Sequence, residues 1–405
     1  MAIRVEPPTV EFDPFSADFF DDPYETYRTL RDHAPVYHNT RYGFWALCRF
    51  DDVAAAHQDW RTFSSAHGVT LHDLLGPPPP PMGTIIYLDP PAHERLRNLV
   101  SRAFTPRAIA ALEPMIRQVV RATLDAVRGR TEFDAVADFA APFPVEVISA
   151  MLGVPPADRQ AVRLRTDALL HREPNDPAPT SAGIEAGMVQ HQYFLALVAE
   201  KRRNPAEDVI TRLCAAELPG EHGPQRLSDG EIASFALLLG AAGSETVTKL
   251  IGNGVVLFHR WPAEWAKVLG DPGWIPNAVE EILRYWAPSQ YQGRFTTAPA
   301  IFHGVTIPAG EPTLLLTGAA SRDERAYSDP DRFDIDRKQQ IALGFGYGIH
   351  SCLGAALARL ESRVAFEELR ARYPRYRVDE RGLRRVHMAN VAGFSHVPVA
   401  VDGDA

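Results

Sequence analysis

Phe345-Gly346-Tyr347-Gly348-Ile349-His350-Ser351-Cys352-Leu353-Gly354 is the stretch from which the fold can be read. Three glycines surround one cysteine, and Leu353, Leu357, Leu360 and Val364 then recur at the three-and-four spacing of an amphipathic helix. The spacing predicts that Cys352 lies in the first turn of that helix. Unpaired N–H groups and the positive dipole end there favour an anion, and a thiolate at such a place has its pKa lowered from roughly 8.5. Gly346 and Gly348 allow a tight turn, and Gly354 allows a flat group to approach the helix backbone. A buried cysteine in a glycine-rich turn satisfies the same pattern.

Upstream, Ser228-Asp229-Gly230-Glu231 forms a Ser-x-x-Glu capping box. The helix it starts can run to about His259, because Pro262 is the next strong stop. Its middle, Ala236 to Ala242, is apolar or small on every side, so the helix is expected to be buried. Glu245 is a charge in that buried helix and needs a partner or a task. Thr246 follows it, and a hydroxyl there can bond back to the backbone. A satisfied core pair would look the same.

Composition narrows the class. The chain has 405 residues, 45% hydrophobic and 23% charged, as in ordinary globular proteins. The net charge of −9 gives no basis for wholesale nucleic-acid binding. Three scattered cysteines, Cys48, Cys214 and Cys352, form no CxxC pair, which disfavours structural zinc and fits a reducing compartment. The opening residues have no secretory apolar core, and no long uncharged apolar run suggests a membrane span, so a cytoplasmic protein without an anchor is expected. Five successive prolines, Pro77 to Pro81, predict a stiff extended connection.

The ten-residue loop resembles the haem-binding loop of the cytochrome P450 family, with Phe345, Gly346, Gly348, His350, Cys352 and Gly354 at that pattern's offsets. The resemblance implies a single domain over residues 1–405, mainly α with a small β region. Haem b would lie between a long distal helix and the proximal cysteine loop. Cys352 would be the axial thiolate ligand of iron, with Phe345, Gly346, His350 and Gly354 around the cofactor. Ala242-Gly243-Ser244-Glu245-Thr246 resembles the family's oxygen-activation signature. It implies Ala242 and Gly243 against the haem and a proton relay through Glu245 and Thr246; Val247 stands where many relatives carry a second hydroxyl. Asp89 to Phe104 resembles the helix whose His93 and Arg97 grip a propionate, and Arg294 would meet the second, helped by His350. Glu281-Ile282-Leu283-Arg284 fits the Glu-x-x-Arg helix, braced by Arg332 or Arg325.

The segment from Arg163 to Ala199 matches the part that covers the substrate. Substrate contacts are expected from Met82, Ile85, Ile86, Leu239, Ser289, Gln290, Tyr291, Val391 and Phe394. The implied reaction inserts one oxygen atom from O₂ into a hydrophobic small molecule, with electrons from a ferredoxin and its reductase. Arg95, Arg102, Arg359 and Arg363 would suit that acidic partner. Peroxide-driven chemistry or ring coupling on the same fold, and a haem-thiolate ligand sensor, are the alternatives. A hydrolase built on Cys352 and His350 lacks a visible orienting group.

Overall fold

Ser228 starts the longest helix: its hydroxyl accepts from the Glu231 N–H (3.2 Å), and the Glu231 carboxylate accepts from the Ser228 N–H (2.8 Å). Both arms of the capping box are therefore made. In the computed structural model, which describes residues 10–401 except 78–83, 174, 175, 177, 219–224 and 340, this helix is Asp229–Arg260. Its 32 residues span about 48 Å at 1.5 Å per residue.

The helices that frame the centre are α1 (Phe50–Gln58), α2 (Ala92–Val100), α3 (Glu113–Asp125), α4 (Pro142–Leu152), α5 (Arg159–Leu170), α6 (Ser181–Arg203), α7 (the long helix), α8 (Ile275–Tyr285) and α9 (Ala355–Arg372). Shorter helical turns connect them. From Ile232 to Phe258 most positions of α7 are buried, so α7 acts as an axis rather than a face. Ile232, Phe235, Ile251 and Phe258 of α7 pack with Phe143 and Ile148 of α4, Ile282 of α8 and Val364 of α9 in the larger core. The apolar run Ala135–Leu152 is long enough to cross a membrane, but it carries Asp138 and Glu146 and is mostly buried in this core.

A five-stranded sheet stands beside the helices. Its strands are β1 (Val36–Asn39), β2 (Phe44–Leu47), β3 (Phe63–Ser64), β4 (Gln292–Thr296) and β5 (Pro312–Leu315), ordered β1-β2-β5-β4-β3. Only the β2–β5 pairing is parallel; the others are antiparallel. A second core, with Phe12, Phe15, Tyr27, Phe44 and Leu314, backs this sheet. The pairing of Arg294 with Thr313 fixes the register of β4, and with it the side on which Arg294 emerges.

One ion pair ties α8 to the segment that leads toward the cysteine loop. Arg284 Nε and Nη2 donate to Glu281 at 2.8 and 2.6 Å, and both residues are 1% exposed. The third member is Arg337, whose Nε lies 3.3 Å from Glu281. Neither residue expected from the sequence takes that role. Arg332 offers only its carbonyl, to Arg284 at 3.0 Å, while Arg325 is held by Asp323, Glu324 and Asp32. The chain bends back after Asp334, whose N–H also donates to Glu281, and this puts residue 337 rather than 332 beside the carboxylate. Further bonds from Arg284 to the Ser321 and Pro330 carbonyls complete its valence. Removing one partner of such a buried pair strands the other charge, so Glu281→Ala should lower unfolding free energy by about 3–5 kcal/mol. Arg337→Ala should cost less, because the bidentate Glu281–Arg284 pair survives. Urea midpoints of the two variants check the order.

Candidate active site

The cysteine loop is closed by its own backbone. Cys352 N–H donates to the Phe345 carbonyl (2.8 Å), and Gly346 N–H donates to Leu343 (2.8 Å). Gly346 and Gly348 have φ of +68° and +72°, the left-handed region open to glycine. At Gly348 a side chain would also collide with the His57 carbonyl of α1.

Cys352 is not in the first turn of α9, as its spacing suggested. Residues 348–350 form a 3₁₀ turn, Gly354 caps α9, and helical bonding begins at Ala355. Burial pushes the Cys352 thiol up from its ordinary value, contrary to the lowering expected at a helix start. The Gly354 N–H, Arg97 and Arg359 oppose that rise without overcoming it. Cys352 has accessible surface and lines a large cavity.

That cavity encloses about 310 Å³. One wall comes from the loop and α9: Phe345, Gly346, Cys352, Gly354 and Leu357. Around Gly354 an added Cβ would meet nothing but the Cys352 sulfur within 4 Å, so the backbone there is open to a flat group. Another wall is α7, with Leu239, Ala242, Gly243 and Thr246. The Thr246 hydroxyl donates to the Ala242 carbonyl at 2.9 Å, and α7 runs unbroken through this point. Gly243 is small for a second reason: a Cβ would press on Ile148 of α4 at 3.2 Å.

Glu245 does not line the cavity. It turns aside and pairs with Lys249, 3.0 Å away, with both side chains nearly fully buried. The sequence reading did not anticipate Lys249, although its i,i+4 position was the available signal.

Cationic and imidazole groups gather at one end. Arg97 donates to the Ser351 carbonyl (2.7 Å), and Arg294, 4% exposed, donates to Gly293 (2.7 Å). The His93 and His350 rings lie 4.4 Å apart. Neither nitrogen of His93, nor Nε2 of His350, finds a partner among the described residues. His57, which was not foreseen, joins them from α1 with Gln292 beside it. Burial lowers His350 to about 2 and His57 to about 3, each helped by the charge of Arg294, while burial lowers Arg294 itself to about 10. His93 is also lowered, chiefly by burial. Neutral imidazoles beside two guanidiniums form a receptor for carboxylates.

Of the expected substrate contacts, Ile85, Ile86, Leu239 and Ser289 line the cavity. Four others lie elsewhere. Gln290 is 1% exposed and bonds to the Ala287 carbonyl, and the Tyr291 hydroxyl accepts from Leu71 N–H in the sheet-backing core. Ser289 and Gln292 line the cavity, while these two side chains are held in the core by the bonds just given. Phe394 packs on Trp286 and under Arg385, and Asn390 rather than Val391 reaches the cavity. Met82 lies outside the described residues. Val69, Phe235, Leu238 and Ile148 also line the space. So does Glu361 of α9, a carboxyl raised well above its usual range by burial and therefore neutral.

The comparisons with known proteins agree on what such a fold and cavity belong to. A model of the family described as Cytochrome P450 matches residues 275–373. The chain is 42% identical to putative cytochrome P450 123 of Mycobacterium tuberculosis, over 99% of both chains. It is 41% identical to the erythromycin C-12 hydroxylase of Saccharopolyspora erythraea, over 92% of each. The structure of cytochrome P450 CYP109Q5 from Chondromyces apiculatus superposes with a TM-score of 0.87 at 35% identity, covering 98% of this chain and 99% of that one.

The chain belongs to the cytochrome P450 family. It is a monooxygenase with haem b as cofactor, acting with O₂, a redox partner and a small-molecule substrate. The residues present fit that cofactor. The orphaned imidazole nitrogens and two arginines suit its two carboxylates, and the bare backbone at Gly354 suits a flat macrocycle.

The histidines make acid stability a test of this cradle. A histidine whose folded pKa falls from 6.5 to about 3 binds less proton folded than unfolded between those values. Stability of the haem-free protein therefore drops as pH falls through that window, by about 1.4 kcal/mol per pH unit for each such group. His57→Leu should flatten the acid limb by one proton and leave the limb above pH 7 unchanged. Urea unfolding at stepped pH measures it.

Proposed function

We propose that Cys352 supplies the thiolate ligand to the haem iron, and that Glu245 and Thr246 carry protons on the opposite side. The observation that supports this most strongly is that the Cys352 sulfur and the Thr246 hydroxyl open into one cavity whose end is the arginine–histidine cradle. In this reading His93, Arg97, Arg294 and His350 hold the propionates, with His57 behind them. Phe345, Gly346, Gly354, Ala242 and Gly243 pack on the macrocycle. When bound, the haem supplies the redox chemistry that places one atom of dioxygen in the substrate while the other leaves as water.

The chain's own residues manage position and protons. Because the Thr246 proton is committed to the Ala242 carbonyl, its oxygen lone pairs are free to accept from a water in the cavity. Glu245, outside the cavity beside Lys249, can pass a proton to that hydroxyl or to a water without placing a carboxylate in the apolar space. A positioned proton donor contributes typically about 10²–10⁴-fold. The substrate is a hydrophobic small molecule: Ile85, Ile86, Phe235, Leu238 and Leu239 would bury its skeleton, and Ser289, Gln292 and Asn390 would orient its polar groups. Macrolides are the first class to screen, since one relative hydroxylates erythromycin.

Electrons come from a ferredoxin-type protein that docks on the cysteine side. Three of the four arginines considered for that face are already paired: Arg359 with Glu280, Arg363 with Glu113 and Glu367, and Arg95 with Glu231. Arg102 stays exposed. Docking should thus depend on salt less steeply than four free charges would require. The protein is read as one domain throughout and as cytoplasmic.

Thr246→Ala should retain haem and the Soret band of a thiolate-ligated reduced carbonyl complex. Product formed per NAD(P)H consumed should fall by about tenfold or more, with hydrogen peroxide taking up the difference. Unchanged coupling removes Thr246 from the relay. Cys352→His should shift the carbonyl band to the imidazole position.

A further inference from the structure

Ser289, Gln292 and Asn390 meet on the cavity wall, and the bonds between them run in one direction. The backbone holds them first. Ser289 pairs with Val391 in an isolated antiparallel bridge, the Gln290 N–H donates to the Asn390 carbonyl (2.9 Å), and the Ala392 N–H donates to the Pro288 carbonyl (2.8 Å). Two segments distant in the chain are thereby stitched together where they border the cavity.

The side chains then fix one another. Asn390 Nδ2 donates to the Tyr291 carbonyl (2.7 Å), an atom that only accepts, so the Asn390 amide has one orientation. The same nitrogen reaches the Ser289 hydroxyl at 3.3 Å. Gln292 lies between two hydroxyls. The fully buried Thr317 hydroxyl meets Gln292 Oε1 at 2.5 Å, and Gln292 Nε2 meets the Ser289 hydroxyl at 2.8 Å. The shorter contact falls below the N–H···O range and within the O–H···O range, which sets the amide oxygen on Thr317 and the amide nitrogen on Ser289.

A serine hydroxyl has one proton and two lone pairs. Both lone pairs of Ser289 are met by amide N–H groups, so its proton must point elsewhere, and no acceptor for it is found among the described residues. Thr246 differs, because its proton goes to the Ala242 carbonyl. We propose that Ser289 is a specificity-determining donor whose proton meets a carbonyl oxygen of the substrate, which makes the substrate a hydrophobic ketone, ester or lactone rather than a plain hydrocarbon. The inference rests on the hydrophobic-substrate reading above. Ser289 touches the substrate, whereas Thr317 acts through Gln292 and is a positioning residue. A hydrocarbon in the same place would leave the Ser289 donor without a partner, and that loss is what discriminates.

Matched pairs test this on the holoprotein: cyclododecanone with cyclododecane, benzophenone with diphenylmethane, and menthone with menthane. In Soret titrations the wild type should bind the ketone of a pair about fivefold more tightly than its hydrocarbon. Ser289→Ala should bring that ratio close to one with hydrocarbon affinity unchanged, and Ser289→Thr, which keeps the hydroxyl, should restore it. Thr317→Val should lower the ratio as well, because the released Gln292 amide can turn its oxygen to Ser289 and take the proton. Infrared spectra of a bound, carbonyl-labelled ketone give a readout independent of the iron: the carbonyl stretch should lie lower in the wild type than in Ser289→Ala. A ratio or a carbonyl frequency that Ser289→Ala leaves unchanged overturns the inference. If hydrocarbons bind as tightly as ketones in every pair, the donor fails while the hydrophobic-substrate reading stands. If no member of any pair shifts the Soret band, that reading fails and the inference falls with it.

Discussion

Arg97, Arg294, His57, His93 and His350 all turn toward one cavity, and among the described residues no ionised carboxylate turns in with them. Burying polar groups without partners is costly, so the arrangement makes sense only around an anionic occupant. The nearby Asp89 does not line the cavity and accepts from the Ser64 hydroxyl and the Ser65 N–H. The five residues come from α1, α2, β4 and the cysteine loop, segments separated by up to about 290 positions. Their convergence is the constraint the rest of the fold satisfies. The β2–β5–β4 pairing sets Arg294, the left-handed turn at Gly348 seats the loop on α1, and the Glu281–Arg284–Arg337 cluster steadies the chain entering that loop.

The long helix solves the complementary problem. It must present small residues and one hydroxyl to the cavity, yet carry a buried charge pair close by. It does so by separating the two around its circumference. Ala242, Gly243 and Thr246 face inward, whereas Glu245 faces α5 and is neutralised by Lys249 one turn on. The cavity keeps its apolar character, and the charge pair stays outside it. Gly243 serves both sides, since it also lets Ile148 of α4 approach.

Local signals were the legible part of the sequence. The capping box at Ser228 and the loop's glycine spacing each state a backbone geometry within a few residues, and both are found. His93 and Arg97, expected from the continuous stretch Asp89 to Phe104, and Arg294, which only the resemblance implied, all line the cavity. What could not be read depended on contacts between distant segments. Arg337 replaces Arg332 or Arg325 because of how the chain bends after Asp334. His57 joins the cradle because α1 packs against the loop, where only a glycine at 348 leaves room for the His57 carbonyl. Gln290 and Tyr291 fall outside the cavity because each has a partner elsewhere, the Gln290 amide donating to the Ala287 carbonyl and the Tyr291 hydroxyl accepting from the Leu71 N–H. The thiol pKa was misjudged for a related reason: a helix start was counted, while the burial that outweighs it has no local signature.

A charge count around the cavity links these features. Two arginines carry fixed positive charge; the three histidines and Glu361 are neutral, and burial favours the neutral thiol at Cys352. Two propionates would cancel the arginines. The thiol is the one group left to change state, and coordination to a metal cation deprotonates a cysteine outright. A neutral Glu361 matters here, because a second anion on α9 would compete with the sulfur for that compensation. Loading the cofactor would therefore set the two arginines against the two propionates and leave no unpaired charge in the cavity.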